Sequence, residues 1–102
     1  MNDFGLRQTD LQMIPDVISR FPAVEHVVIF GSRAKGNYKT GSDVDLSIRG
    51  HEIDYRTTVS IGSILNEDTP MPYFFDVVNY NAIENDAFRD HIDRVGKELK
   101  SL

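Results

Sequence analysis

The chain has 102 residues, 40% of them hydrophobic and 26% charged, which fits one globular domain over 1–102 with no room for a second. Eleven Lys+Arg against 16 Asp+Glu leave a formal charge of −5. A surface this acidic repels a phosphate backbone and argues against a nucleic-acid polymer as partner, while a small nucleotide carried with Mg2+ stays open. No Cys is present, which excludes disulfides, a thiol nucleophile and thiolate metal sites.

The start, MNDFGLRQTD, is polar and lacks a charged-then-apolar secretory pattern. No apolar run approaches the ~20 residues needed to span a bilayer. A cytoplasmic protein without a membrane partner is expected. A single core is feasible at this length, and an oligomer or partner surface would supplement its modest stability.

Thr9-Asp10-Leu11-Gln12 matches a capping box, and Leu11, Ile14, Ile18 and Phe21 then keep a helical period that Pro22 ends. Pro15 falls inside that segment and costs an interior hydrogen bond unless it lies in the first turns. Val24 to Phe30 is β-branched and largely apolar, the pattern of a buried strand. Residues 31–42, GSRAKGNYKTGS, hold three glycines and no large aliphatic residue, which makes a loop with a short helical turn at its start. Asp43 to Arg49 alternates strictly, so it is a strand with Val44, Leu46 and Ile48 on the core face. Asp54 caps a helix to about Asn66, with Tyr55, Val59, Ile61, Ile64 and Leu65 as its inward candidates. Tyr73 to Tyr80 reads as a third strand after Pro70 and Pro72. The last helix covers roughly 86–99, with Phe88, Ile92, Val95 and Leu99 on one face and Gly96 weakening its end. The order α-β-loop-β-α-β-α implies an α/β sandwich around a small sheet. The second and third strands are then parallel, through a right-handed crossover.

The chemistry concentrates in Gly31-Ser32, ten further residues, then Asp43-Val44-Asp45. Alternation puts Asp43 and Asp45 on one face of their strand, roughly 7 Å apart at Cα, where they repel by about 2 kcal/mol at an effective dielectric near 20. Such a pair calls for water, a bound cation or a raised pKa. Oxygen ligands without Cys or a nearby His point to Mg2+ or Mn2+ rather than Zn2+. Asp76 interrupts the apolar run YFFDVVNY, and the crossover brings it to the face of Asp43 and Asp45. Three convergent carboxylates suit a two-metal phosphoryl- or nucleotidyl-transfer site. Gly31 lets backbone approach a phosphate, the Ser32 hydroxyl can donate to it, and Arg33 and Lys35 add positive charge nearby. The Gly-Ser-x10-Asp-x-Asp pattern arises by accident on the order of once in a thousand chains of this length.

GSRAKGNYKTGSDVDL resembles the signature of the DNA polymerase β-like nucleotidyltransferases, and specifically of their minimal nucleotidyltransferase (MNT) members. The likeness extends to FPAVEHVVIFGSRAKG and to RDHIDRVGKEL. It implies a small mixed sheet backed by helices, with Asp43 and Asp45 ligating Mg2+ and Asp76 as third ligand or base. It also implies that Gly31 and Ser32 seat the triphosphate of ATP or another NTP. MNT proteins of this kind resemble antitoxins paired with a helical HEPN protein, some of which transfer AMP onto a tyrosine of that partner. Larger relatives append an acceptor domain, and its lack here leads us to expect a partner that brings the acceptor.

Each residue also has a plainer reading. Asp43 and Asp45 could be the solvated face of an edge strand, Asp76 a cap or ion-pair partner, and Ser32 a turn residue. Arg33 and Lys35 divide between phosphate contact and loop solvation. Tyr38 could stack on a base or simply be exposed. His26, His51 and His91 are scattered without ligand spacing and read as structural or surface groups. The leading expectation is a Mg2+-dependent transferase moving NMP to a hydroxyl on a partner protein. One competing reading is a non-catalytic nucleotide-binding module that neutralises a partner by contact. Another is one subunit of a small-molecule, antibiotic-modifying transferase.

Overall fold

Alternation decides the central strand. In β2 (Val44–Gly50) the side chains of Val44, Leu46 and Ile48 are fully buried, as a period of two dictates. The computed structural model describes residues 4–101. Its elements run α1 (Gln8–Ile18), β1 (Val24–Phe30), α2 (Gly31–Lys35), β2, α3 (Tyr55–Glu67), β3 (Phe75–Asn79), a 3-10 turn (Tyr80–Ala82), α4 (Asp86–Val95) and β4 (Lys97–Ser101). The strands form one mixed sheet in the order β3-β2-β1-β4. β1 is antiparallel to β2 and β4, whereas β2 and β3 are parallel and linked through α3, as expected for a β-α-β unit. Among the described residues no helix is long and apolar enough to cross a membrane.

One face of the sheet carries the main core. Val27 and Ile29 of β1 join Val44, Leu46 and Ile48, and Ile14 and Ile18 of α1 and Ile61 and Leu65 of α3 pack over them. The alternate residues, Val28 and Phe30 on β1 and Asp45 and Ser47 on β2, belong to the other face. There α4 lies over β1: its Phe88 ring meets Phe30 edge-on at 5.7 Å between centroids, and Ile92 is buried.

Several elements depart from the sequence reading, each for a local reason. The first helix is capped at Arg7 rather than Thr9, because the Asp10 carboxylate accepts from the Arg7 backbone N–H at 2.9 Å and from its guanidinium at 3.0 Å. A carboxylate in the first turn outcompetes the weaker Thr9–Gln12 pair. Pro15 is accommodated within α1, which stops at Ile18, short of Phe21 and Pro22. In α3, Tyr55 and Val59 face outward, 83% and 49% exposed. The core stripe is set by Ile61 and Leu65, and Val59 stands about 200° around the helix from Ile61. β3 spans only Phe75–Asn79, shorter than the Tyr73–Tyr80 run. Leu99 belongs to a fourth strand, not to the α4 stripe, because the helix ends at Val95. A Cβ at Gly96 would strike the Ile92 carbonyl and come within 2.6 Å of Val28 Cγ1. Glycine therefore lets the chain leave α4 and run back beside β1.

Candidate active site

The parallel pairing of β2 and β3 sets Asp45 opposite Asp76 in register. Adjacent strands lie about 4.8 Å apart, so the two carboxylates share one face and one end of the sheet. Asp43, just before β2, has the parity of Asp45 and joins that face. Asp43 and Asp76 are exposed, while Asp45 is half-buried between them. Burial, then the charges of Asp76 and Asp43, push the Asp45 carboxyl above the usual carboxylate range, and His91 partly offsets them.

Gly31 is held against this carboxylate. It follows directly from β1, whose last residue, Phe30, pairs with Asp45. Its φ of +73° lies in the left-handed region, and a Cβ there would overlap Asp45 Oδ2. Both features restrict the position to glycine. Ser32 follows in α2, half-buried, and its hydroxyl makes no hydrogen bond to the described residues. Gly31, Ser32, Asp43, Asp45 and Asp76 are thus gathered where the ends of β1, β2 and β3 meet.

Arg33 departs from that group. It is 3% exposed, and its guanidinium donates to the Phe4 carbonyl at 2.8 Å and to the Ser42 carbonyl at 2.9 and 3.2 Å. Tyr38 and Tyr73 lie against it, with ring centres 5.2 and 5.1 Å from the guanidinium carbon. Arg33 therefore ties residues 36–43 to the N-terminal segment, and its charge is turned away from the carboxylates. Tyr38, a candidate for base stacking, is stacked on Arg33 instead. Lys35 remains exposed.

His91 is the residue that sequence reasoning set aside. Its ring stands edge-on to Phe30, 6.2 Å between centroids with the planes at 83°. The signal was its spacing, three residues after Phe88 and one before Ile92 on the inward face of an amphipathic helix. Helical phase cannot say what that face meets.

Among the described residues, no three Asp, Glu or His side chains stand close enough together to hold a metal ion. The donor set is nonetheless right for a hard divalent cation, since it consists of carboxylate oxygens, and burial followed by their mutual repulsion already raises Asp45. Asp43, Asp45 and Asp76 are the residues that would hold such a cation.

A family model of the polymerase β nucleotidyltransferases matches residues 12–102. The chain belongs to that family, and its mixed sheet with helices is the family's fold. Solved structures agree on the fold. A toxin–antitoxin structure with AMP-PNP superposes with a TM-score of 0.78 at 17% identity, covering 91% of this chain and 74% of the other. The MntA-HepT toxin–antitoxin structure gives 0.73 at 15% identity, covering 94% and 74%. A nucleotidyltransferase structure from Sulfolobus solfataricus gives 0.56 at 22% identity, covering 90% and 77%. No curated protein sequence matches the chain.

Proposed function

We propose that the protein is a Mg2+-dependent nucleotidyltransferase that moves NMP, taken from ATP, onto a hydroxyl of a partner protein, as the antitoxin of a HEPN/MNT pair. The observation that carries this is the register pairing of Asp45 with Asp76, with Gly31 pressed against Asp45. In this reading Asp43, Asp45 and Asp76 would hold the cation, which when bound would supply positive charge against the triphosphate and the departing pyrophosphate. Gly31 allows the phosphates to approach the backbone, and the Ser32 hydroxyl donates to one of their oxygens. The acceptor oxygen forms a bond to the α-phosphorus as the bond from that phosphorus to the β-phosphate bridging oxygen breaks. Asp76, the exposed member of the pair, takes the acceptor's proton. Arg33 has no part in this chemistry. The partner is argued from the fold shared with MntA in its toxin–antitoxin structure and from the AMP-PNP present in the related one.

The test is incubation with Mg2+ and α-phosphate-labelled ATP, alone and with whatever protein co-purifies, beside Asp43→Asn. Label that appears on a protein and is absent with the variant supports the proposal. Bound ATP with no label on any protein or small-molecule acceptor replaces it with a module that neutralises its partner by contact.

A further inference from the structure

A nucleoside triphosphate adds roughly four negative charges to a face that already carries Asp43, Asp45 and Asp76. Arg33, the arginine that follows the glycine-serine turn, is buried away from that face, and the Arg49 guanidinium, farther along β2, lies over the Tyr80 ring. A group on α4 that does look onto it is His91, whose charge acts on Asp45. Phe30 and Asp45 are antiparallel register partners, so their side chains stand on the same face of the sheet. The His91 ring packs on the Phe30 ring, and α4 also packs against α2, the helix that opens with Gly31 and Ser32. His91 therefore stands above the junction between the glycine-serine turn and the carboxylates. It is half-buried, and its ring makes no hydrogen bond to the described residues.

We infer that His91 is a phosphate-contacting residue: from α4 its ring N–H donates to a phosphate oxygen of a nucleoside triphosphate seated between Gly31-Ser32 and the aspartates. The inference rests on the nucleotidyltransferase reading and adds a donor on α4 to it. It does not depend on protonation, because a neutral imidazole still carries one N–H. Phe30, itself packed edge-on against Phe88, supplies the apolar surface that the ring stands on, and Ile92 anchors the helix from the next position.

The experiment is calorimetric titration of the full chain with ATP in MgCl2, repeated with inorganic tripolyphosphate, which fills only a phosphate subsite. His91→Phe keeps an aromatic ring against Phe30 and removes the donor, while His91→Gln keeps an N–H donor. Affinity for both probes should fall about tenfold in His91→Phe, the size of one hydrogen bond to a charged group. It should recover most of the way in His91→Gln, with Tm unchanged in both. Wild-type affinity in His91→Phe overturns the inference while leaving the nucleotide site standing, and so does a loss that follows a lowered Tm in both variants. A wild-type chain that binds neither probe overturns the nucleotide reading itself.

Discussion

Replacing Asp45 by Asn should make the metal-free protein more stable and deaf to Mg2+. Asp45 is half-buried and paired in register with Asp76. Two carboxylates about 5–6 Å apart repel by about 3 kcal/mol at an effective dielectric of 20. Because Asp76 is exposed, solvent screening reduces that to about 1 kcal/mol. For a domain of this length 1 kcal/mol moves Tm by about 4–6 °C, the rise expected for Asp45→Asn in EDTA at neutral pH. The folded protein holds the Asp45 carboxyl above its ordinary value, so ionised Asp45 opposes folding at pH values above that raised pKa. As pH falls through it toward the unfolded value, the penalty fades and the two proteins converge. Adding Mg2+ at about ten times its Kd should return about 1.4 kcal/mol to the wild type and nothing to the variant. Differential scanning fluorimetry across pH, with and without Mg2+, reads all of this. A variant less stable than wild type in EDTA, or one that gains equally from Mg2+, refutes the reasoning.

Two further outcomes follow from the N-terminal half. Asp10 is 1% exposed and accepts from the Arg7 backbone N–H and guanidinium and from the Tyr73 hydroxyl. Burial alone would raise its pKa, but those hydrogen bonds hold it below the usual value. Its contribution is therefore complete above the ordinary carboxylate range and is lost as pH falls through the folded pKa. Asp10→Ala should cost about 3 kcal/mol in urea unfolding at pH 7, and the gap should narrow in acid. Arg33→Lys should cost about 2 kcal/mol through lost bonds to the Phe4 and Ser42 carbonyls. It should speed amide exchange across residues 36–43, whereas exchange identical to wild type would show that Arg33 does not hold that loop.

Much of the placement of the candidate site was legible in the order of residues, because β structure converts spacing into direction. Asp43 and Asp45 share a face through a period of two, and Asp76 joins them because a β-α-β crossover fixes parallel neighbours. The Asp54 cap was equally local: its side chain accepts from the Thr57 N–H at 2.7 Å. Where reading failed, the deciding partner was distant in sequence or the pattern was degenerate. Arg33 counts as a free cation until the chain folds Phe4 and Ser42 onto it. α3 carries apolar residues on both sides, so hydropathy could not choose between Val59 and Ile61. The strand Lys97–Ser101 is polar, and it forms because β1 offers an edge and Gly96 permits the turn. His91 reads as a structural or surface group, and its half-buried ring against Phe30 agrees with that; spacing along the chain does not reveal that the same ring lies near Asp45.

The pairing of β4 with β1 carries a kinetic consequence. His26 and Glu98, joined at 2.8 Å, are 72 positions apart, whereas Phe30 meets Asp45 across a single short connection. By chain-closure entropy the longer loop costs about 1.4 kcal/mol more to shut. The segment between them includes α4, so the helix bearing Phe88 and His91 is held in place by the most remote contact in the sheet. β1, β2, α3 and β3 can assemble through nearer contacts, as contiguous neighbours do. The carboxylates thus sit among contacts that short loops close, and the wall above them depends on the pairing with the longest loop to close.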